Sequence, residues 1–370
     1  MLRAEAIVDL DAIRANVETL KRGTAAEVMA VVKADGYGHG LLPSARAALA
    51  GGATWLGTAT VDEALTLRRS GITARTLAWL WTPDEAETVR DALAAGIDVS
   101  VSSRWQLDTV LAQAAALGST ARIHLKIDTG LSRNGCYVTD WPDLVRGAAA
   151  ADGAHVAGIW SHFAYADEPG HPTIGRQLDA FRAALHTAQS LGVRPDVRHI
   201  ANSAATLTLP DAHFDLVRPG IAVYGLTPVP QIGEFGLVPA MTLRASLASV
   251  KRVRAGEGVS YGHTHTTERE TTLALVPLGY ADGIPRHAGN VGPVSINGRR
   301  FTVSGRVCMD QFVVDVGDLE VTEHDEAILF GAGPDVPGAI DWAEAIGTIH
   351  YEIVTRIGPR VPRTYRGGAA

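Results

Sequence analysis

Only two cysteines, Cys136 and Cys308, occur in 370 residues. Two thiols cannot build a disulfide framework, and their scarcity fits a reducing compartment. No basic block stands out, and the formal net charge is -7. The electrostatic footprint of a nucleic-acid binder is therefore missing, although a local phosphate site needs no such footprint. Long apolar runs are missing too. The charge-free stretch at residues 47–61 carries Gly and Thr and is too short to span a bilayer. The opening MLRAEAIVDLDAI has acidic residues within its first dozen and no basic segment ahead of an apolar one, so no signal peptide is expected. These absences predict a soluble cytoplasmic protein whose partners include neither nucleic acid nor a membrane. The G-x-G-x-x-G dinucleotide fingerprint is also lacking, because the glycine-rich string DGYGHG does not have its spacing. No internal repeat or low-complexity tract is visible.

What is present is an alternation. The length suggests two domains, each able to bury a core. Apolar, β-like runs at residues 28–33, 54–59, 76–81, 97–101, 122–128, 155–161, 197–202 and 214–218 alternate with helical patterns at 43–50, 62–70, 83–95, 104–117, 141–151 and 173–191. Several helical patterns begin after Asp, Ser or Thr and end near Gly. Strands alternating with helices predict a parallel sheet, and continuous apolar runs such as VMAVVK suit burial on both faces. Eight strands are the number that closes a TIM-type α/β barrel, with an open doubly wound sheet as the alternative. The pattern changes near Leu226, where TPVPQIGEFGLVP reads as a linker. Beyond it strands dominate, at 242–253, 272–277, 294–296, 300–303, 311–316 and 327–330, with an Asn297-Gly298 turn and one short helix at 341–346. The expected organisation is a barrel over residues 1–228 and a mostly β domain over 229–370.

Catalytic groups of a β/α barrel come from the C-terminal strand ends. In chain order those ends offer Lys33, Trp79, Lys126 with Asp128 and the Arg133 loop, Ser161-His162, Asn202-Ser203 and Arg218-Pro219-Gly220-Ile221. Lys33 follows the apolar run VMAVV; a lysine so placed favours its neutral, nucleophilic amine. Alone, it reads more readily as a lysine emerging into solvent, since most lysines are surface groups. Ser203 beside a helix start and the backbone N–H groups of Gly220 and Ile221 suit a phosphate, or simply a cap and a tight turn. His263 and His265, without further ligands nearby, read as surface residues, and no metal is expected. Cys308 reads as packing. His124 attracts no assignment.

The strings AVVKADGYGHG, LKIDTGLSRNG (125–135), WSHFAYAD (160–167), HIANSAA (199–205), VRPGIAVYG (217–225), VSYGHT (259–264), GYADG (279–283) and GRVCMDQ (305–311) resemble the motifs of alanine racemases, in order and over nearly the whole chain. KADGYGHG is highly specific; RPG or SYG alone would be weak. The resemblance implies a fold type III enzyme using pyridoxal 5′-phosphate to interconvert L- and D-alanine. Lys33 would carry the cofactor and act as one base, and Tyr261 would be the opposing base. Tyr37, Ser203, Gly220, Ile221 and Tyr351 would hold the phosphate, with Asn202 and Trp79 also beside the cofactor. His162 would lie against the pyridine ring, and Arg218 would face its nitrogen. Arg133 would bond the phenolic oxygen, and Met309 and Asp310 would meet the substrate carboxylate. Lys126 matches a lysine carbamylated in many members, and Tyr280 one lining the entrance. A head-to-tail homodimer with shared active sites is implied, since the family's counterpart of Tyr261 comes from the second subunit. Trp79 and Ile284-Pro285 depart from the pattern and put the shape of the mouth in doubt. Alternatives on this scaffold are a serine or broad-specificity racemase, a decarboxylase, which Arg218 disfavours, and a non-catalytic cofactor-binding protein.

Overall fold

The computed structural model describes residues 3–368. The chain forms two compact units. One comprises residues 13–36 and 41–237; the other comprises 1–12, 37–40 and 238–370.

The first unit is the expected barrel. Its strands are β2 (Glu27–Val31), β3 (Trp55–Thr60), β4 (Arg75–Leu80), β5 (Asp98–Val101), β6 (Ala121–Lys126), β7 (Ala154–Trp160), β8 (Val197–His199) and β9 (Leu216–Val217); β1 (Ala4–Asp9) lies in the other unit. All neighbours pair in parallel, in the order β8-β7-β6-β5-β4-β3-β2-β9. Asp215 N donates to Arg198 O at 3.1 Å and Arg218 N to Ala201 O at 2.9 Å, so the two ends of the sheet nearly meet. Helices cover the outside, which is why the strands are mostly apolar. Their boundaries follow local chemistry. Thr60 and Glu63 form a capping box ahead of Val61–Arg69, and left-handed Gly118 ends Arg104–Leu117. Met29, Trp55, Leu77, Val197 and Leu216 from five strands fill one layer of the interior.

The second unit is mostly β. Its strands are β1, β10 (Met241–Ser246), β11 (Ser249–Val253), β12 (Gly258–Val259), β13 (His265–Thr266), β14 (Thr271–Val276), β15 (Pro293–Ile296), β16 (Arg299–Ser304), β17 (Phe312–Gly317), β18 (Glu326–Phe330) and β19 (Arg363–Arg366). The main sheet runs β11-β14-β17-β16-β15-β18-β10-β1-β19, and β12 pairs with β13. The single run expected at 242–253 is two strands. The ladder breaks at Leu247 and Ala248, whose N–H groups turn to Asp325 O and Leu275 O. Strand β1 and the helix His350–Thr355 were not anticipated; β1 alternates too weakly to separate from the helix that follows it.

Candidate active site

Lys33 lies just past β2, at the head of a strained turn. Ala34, Asp35, Gly36 and Tyr37 all have φ between 52° and 61°. Left-handed backbone costs a non-glycine residue roughly 1–2 kcal/mol. Side chains hold the turn in compensation. Glu63 Oε1 accepts from Ala34 N at 2.6 Å, and Asp35 Oδ1 accepts from Leu41 N at 2.7 Å. Burial, followed by the nearby Arg133 charge, lowers the Lys33 pKa, while Glu63 pulls the other way. Lys33 Nζ sits 5.8 Å from the centre of the Trp79 ring.

Lys126 ends β6 with its ammonium 4.3 Å from the Trp160 ring centre. Burial, with Arg218 and Arg133 adding to it, lowers its pKa to about 7. An amine this depressed is partly neutral near pH 7 and nucleophilic. The loop beyond it is tightly made. Asp128 Oδ1 accepts the N–H groups of Gly130, Leu131 and Ser132 at 2.9–3.1 Å, and Cys136 N returns to Lys126 O at 2.8 Å. Gly135 closes it at φ +138°, where a Cβ would stand 2.5 Å from Asp128 N. That explains the string IDTGLSRNG: it is a carboxylate-centred turn that carries Arg133.

Arg218 is buried just past β9. Its Nη2 donates to Ser161 O at 2.8 Å, Ile200 O at 3.2 Å and His162 Nδ1 at 3.3 Å, and its Nη1 to His199 Nδ1 at 3.0 Å. Burial lowers it to about 9, which leaves it protonated at neutral pH. His162 is pushed well below the usual histidine range, by burial first and then by Arg218, Arg133, Lys126 and Lys33. It is therefore a neutral imidazole among cations. Asn202 caps the helix Ser203–Thr208, accepting from Ala205 N at 3.0 Å. Ser203 Oγ accepts from Gly220 N at 2.8 Å. The Gly220 N–H expected to be available is thus engaged, and the hydroxyl hydrogen of Ser203 is the donor left over.

The barrel therefore gathers Lys33, Trp79, Lys126, His162, Asn202, Ser203, Arg218, Gly220 and Ile221 at its strand ends, with Arg133 on the loop after β6. The other candidates lie in the β-rich unit. There the Tyr37 and Tyr351 rings are 6.3 Å apart, and burial raises the Tyr37 phenol. Tyr280 N donates to Cys308 O at 3.0 Å and Ala281 N to Met309 O at 2.9 Å, which joins those two turns. Ser260 Oγ donates to Arg306 O at 2.7 Å, which ties the Tyr261 turn to the same loop. Asp310 pairs with Arg360 at 2.8 Å. Tyr261, Met309 and Tyr280 are 70 %, 53 % and 44 % exposed.

Family models for the alanine racemase N-terminal and C-terminal domains match residues 8–228 and 240–365. The chain belongs to the alanine racemase family. An alanine racemase of Salinispora arenicola is 61 % identical over 99 % of both chains. The crystal structure of alanine racemase from D-cycloserine-producing Streptomyces lavendulae superposes with TM-score 0.98 at 58 % identity, covering 100 % of this chain and 98 % of that one. A Bacillus anthracis alanine racemase structure with bound L-Ala-P superposes at TM-score 0.91 with 37 % identity, covering 99 % and 96 %. The protein is thus an enzyme of a pyridoxal-phosphate-dependent racemase family. No helix among the described residues of this racemase is long and apolar enough to cross a membrane.

Sequence reasoning passed over His124, His199 and Asp98. A signal was available. In ARIHLK every second residue of β6 is polar (Arg122, His124, Lys126), which on a barrel strand marks one face.

Proposed function

We propose that this racemase interconverts L- and D-alanine, with Lys33 and Tyr261 as bases on opposite faces of the α-carbon. The observation that carries the reading is Lys33: a strand-end lysine whose pKa burial lowers, fixed by a strained turn. The barrel side chains fit pyridoxal 5′-phosphate chemically. An amine of lowered pKa suits its aldehyde, the Ser203 hydroxyl and the nearby backbone suit its phosphate, and neutral His162 suits a face of its ring. When bound, the cofactor spreads the negative charge left as the α-proton departs.

The chain's own residues supply aim and protons. Lys33 Nζ takes or returns the proton on the D-face, and Tyr261 Oη does so on the L-face. Reversing the roles reverses the reaction, so both directions run at one site. Arg218 carries only donors; with the cofactor bound it would face the ring nitrogen, to which it would not readily give up a proton. That would limit charge flow into the ring and discourage decarboxylation and transamination. With the cofactor bound, Arg133 would bond its phenolic oxygen, the backbone N–H groups of Met309 and Asp310 would receive the substrate carboxylate, and Tyr37, Tyr351, Ser203 and Ile221 would hold the phosphate, with the Gly220 N–H steadying the Ser203 hydroxyl. Asn202 orders the Ser203 helix, Trp79 packs beside Lys33, and Tyr280 lines the entrance. Lys126, partly neutral near pH 7, is a site for carbamylation, which would turn a cation beside Arg133 into an anion. Tyr261 and Met309 are exposed within one chain, which supports a head-to-tail homodimer in which each copy completes the other's site.

The test is a chiral assay of the purified protein on L-alanine and L-serine, with and without added cofactor. Cofactor-dependent D-alanine, with slower turnover of serine, is expected. Release of carbon dioxide, or faster serine turnover, overturns the reading.

A further inference from the structure

Arg218 is buried without a carboxylate on any of its hydrogen bonds among the described residues. Its acceptors are two backbone carbonyls and two imidazoles. One of those imidazoles leads further into the barrel. His199 Nε2 lies 2.9 Å from His124 Nδ1, and His124 Nε2 lies 3.2 Å from Asp98 Oδ2. His124 and His199 are completely buried, and Asp98 and Arg218 nearly so. Asp98 Oδ1 in turn accepts from Arg122 Nε at 3.2 Å, and Arg122 reaches the half-exposed Asp196 at 3.0 Å.

The proton positions along this line follow from chemistry. A guanidinium has no acceptor, so Nδ1 of His199 must accept and its proton must sit on Nε2. That N–H then donates to Nδ1 of His124, whose own proton must therefore sit on Nε2 and donate to Asp98. A proton on Nδ1 of His199 would set two N–H groups against each other at 3.0 Å. One arrangement satisfies every atom, and every donor points toward Asp98. Both rings are neutral in it. Burial, then the Arg218 charge, pushes His199 well below the usual histidine range. Burial raises Asp98, but His124 and Arg122 outweigh this and hold it below the usual carboxylate range.

The site is built for the ring of His124. Strand β7 carries an extra residue opposite the step from Ile123 to His124, so that His124 faces Gly158. A Cβ at Gly158 would stand 2.2 Å from His124 Nδ1. Only glycine leaves room for the imidazole there. Trp160 stacks on His199 with planes 8° apart, and the Trp55 ring meets His124 edge-on, so neither ring is free to turn.

We propose that Asp98 and His124 are positioning residues for Arg218, acting through His199: the directed line of hydrogen bonds locks one tautomer at each ring and fixes the guanidinium at the cofactor's ring nitrogen. Asp98 supplies the negative end that Arg218 lacks among its own partners. A carboxylate two imidazoles away aligns the guanidinium without offering it a proton acceptor of full charge. The inference rests on the reading of Arg218 as the ring-nitrogen partner.

The experiment uses ring-15N-histidine protein loaded with cofactor, as wild type, Asp98→Asn and His124→Gln, with exposed His186→Gln as the control. Ring-nitrogen spectra of the wild type are expected to show His124 and His199 neutral and protonated at Nε2. Asp98→Asn should shift His124 and, one bond further along, His199, and should move the absorbance maximum of the bound cofactor. It should lower kcat on the order of ten- to a hundredfold with little change in KM, the usual scale for outer partners of a reacting group. His186→Gln should change none of these. A proton on His199 Nδ1, or a His199 ring indifferent to Asp98→Asn, overturns the proposal. If Asp98→Asn does not fold, the wild-type tautomers and His124→Gln decide it. A wild type that shows the expected tautomers yet does not racemise alanine overturns the proposed function and leaves the hydrogen-bond line standing. Racemisation with the tautomers reversed overturns the line alone.

Discussion

At the barrel mouth, chemistry-bearing side chains already occupy a medium that changes them. Lys33, Lys126 and His162 are all displaced toward their neutral forms, with burial the largest cause each time. In the β-rich unit Tyr37 is buried, but Tyr261 and Met309 stand in water, 70 % and 53 % exposed. One half of the proposed site is thus tuned by its own fold. The other half is positioned by turns but not enclosed. A phenol in water is a poor match for a proton in a dry site, so the exposed half acquires its function only when something covers it. On the proposed reading, that cover is the barrel mouth of a second copy.

The sharpest way to break the comparison is at the tuned half. Lys33→Ala should remove racemisation on the order of 10⁴-fold or more, since on the proposed reading it deletes both a base and the cofactor's anchor. Borohydride reduction of the loaded wild type, followed by digestion, should place the cofactor on residue 33. Label on any other lysine breaks the assignment.

The exposed half gives the next effect. Tyr261→Phe should slow racemisation by roughly 10²–10⁴-fold, the usual worth of a general acid or base. Exchange of the α-proton of D-alanine with solvent should survive better if Lys33 serves that face. The two variants together test the cover. In a mixed dimer of Lys33→Ala and Tyr261→Phe chains, shared sites leave one site doubly damaged and the other intact. Random reassociation should then restore about one quarter of wild-type activity from two inactive proteins. If each chain supplies both bases to its own site, mixing restores nothing.

The barrel half was also the more legible in sequence, for a physical reason. Parallel strands buried on both faces are mostly apolar, so they stand out as runs, and the polar residue ending such a run is conspicuous. Lys33, His162, Ser203 and Arg218 are found that way. The β-rich unit hides its strands. Its sheet pairs β1 with β10 across more than two hundred residues, and no local pattern shows that Ala4–Asp9 belongs there. Tyr261 and Met309 sit on irregular turns, and only the family resemblance singles them out. Asp98 and His124 were missed for the opposite reason. Asp98 opens β5 and His124 lies within β6, both away from the C-terminal strand ends where catalytic groups of a barrel are sought.

A titration separates the halves by a smaller effect. Lys126 has its ordinary pKa of 10.5 in the unfolded chain and about 7 in the folded one. Between those values the unfolded chain holds one more proton, so stability rises with pH. Below pH 7 both states are protonated and the full cost of a buried ammonium is felt. Above 10.5 neither is, and the cost vanishes. At 1.36 kcal/mol per unit the swing is on the order of a few kcal/mol. Lys126→Met is one heavy atom shorter, keeps an unbranched apolar chain and removes the charge. In carbon-dioxide-free buffer and without cofactor, the variant should melt higher than wild type at pH 7, by on the order of several degrees, and the gap should close as pH approaches 10. A gap that stays constant across that range would mean that Lys126 is solvated like any surface lysine, and the contrast between a tuned half and an exposed half would lose one of its supports.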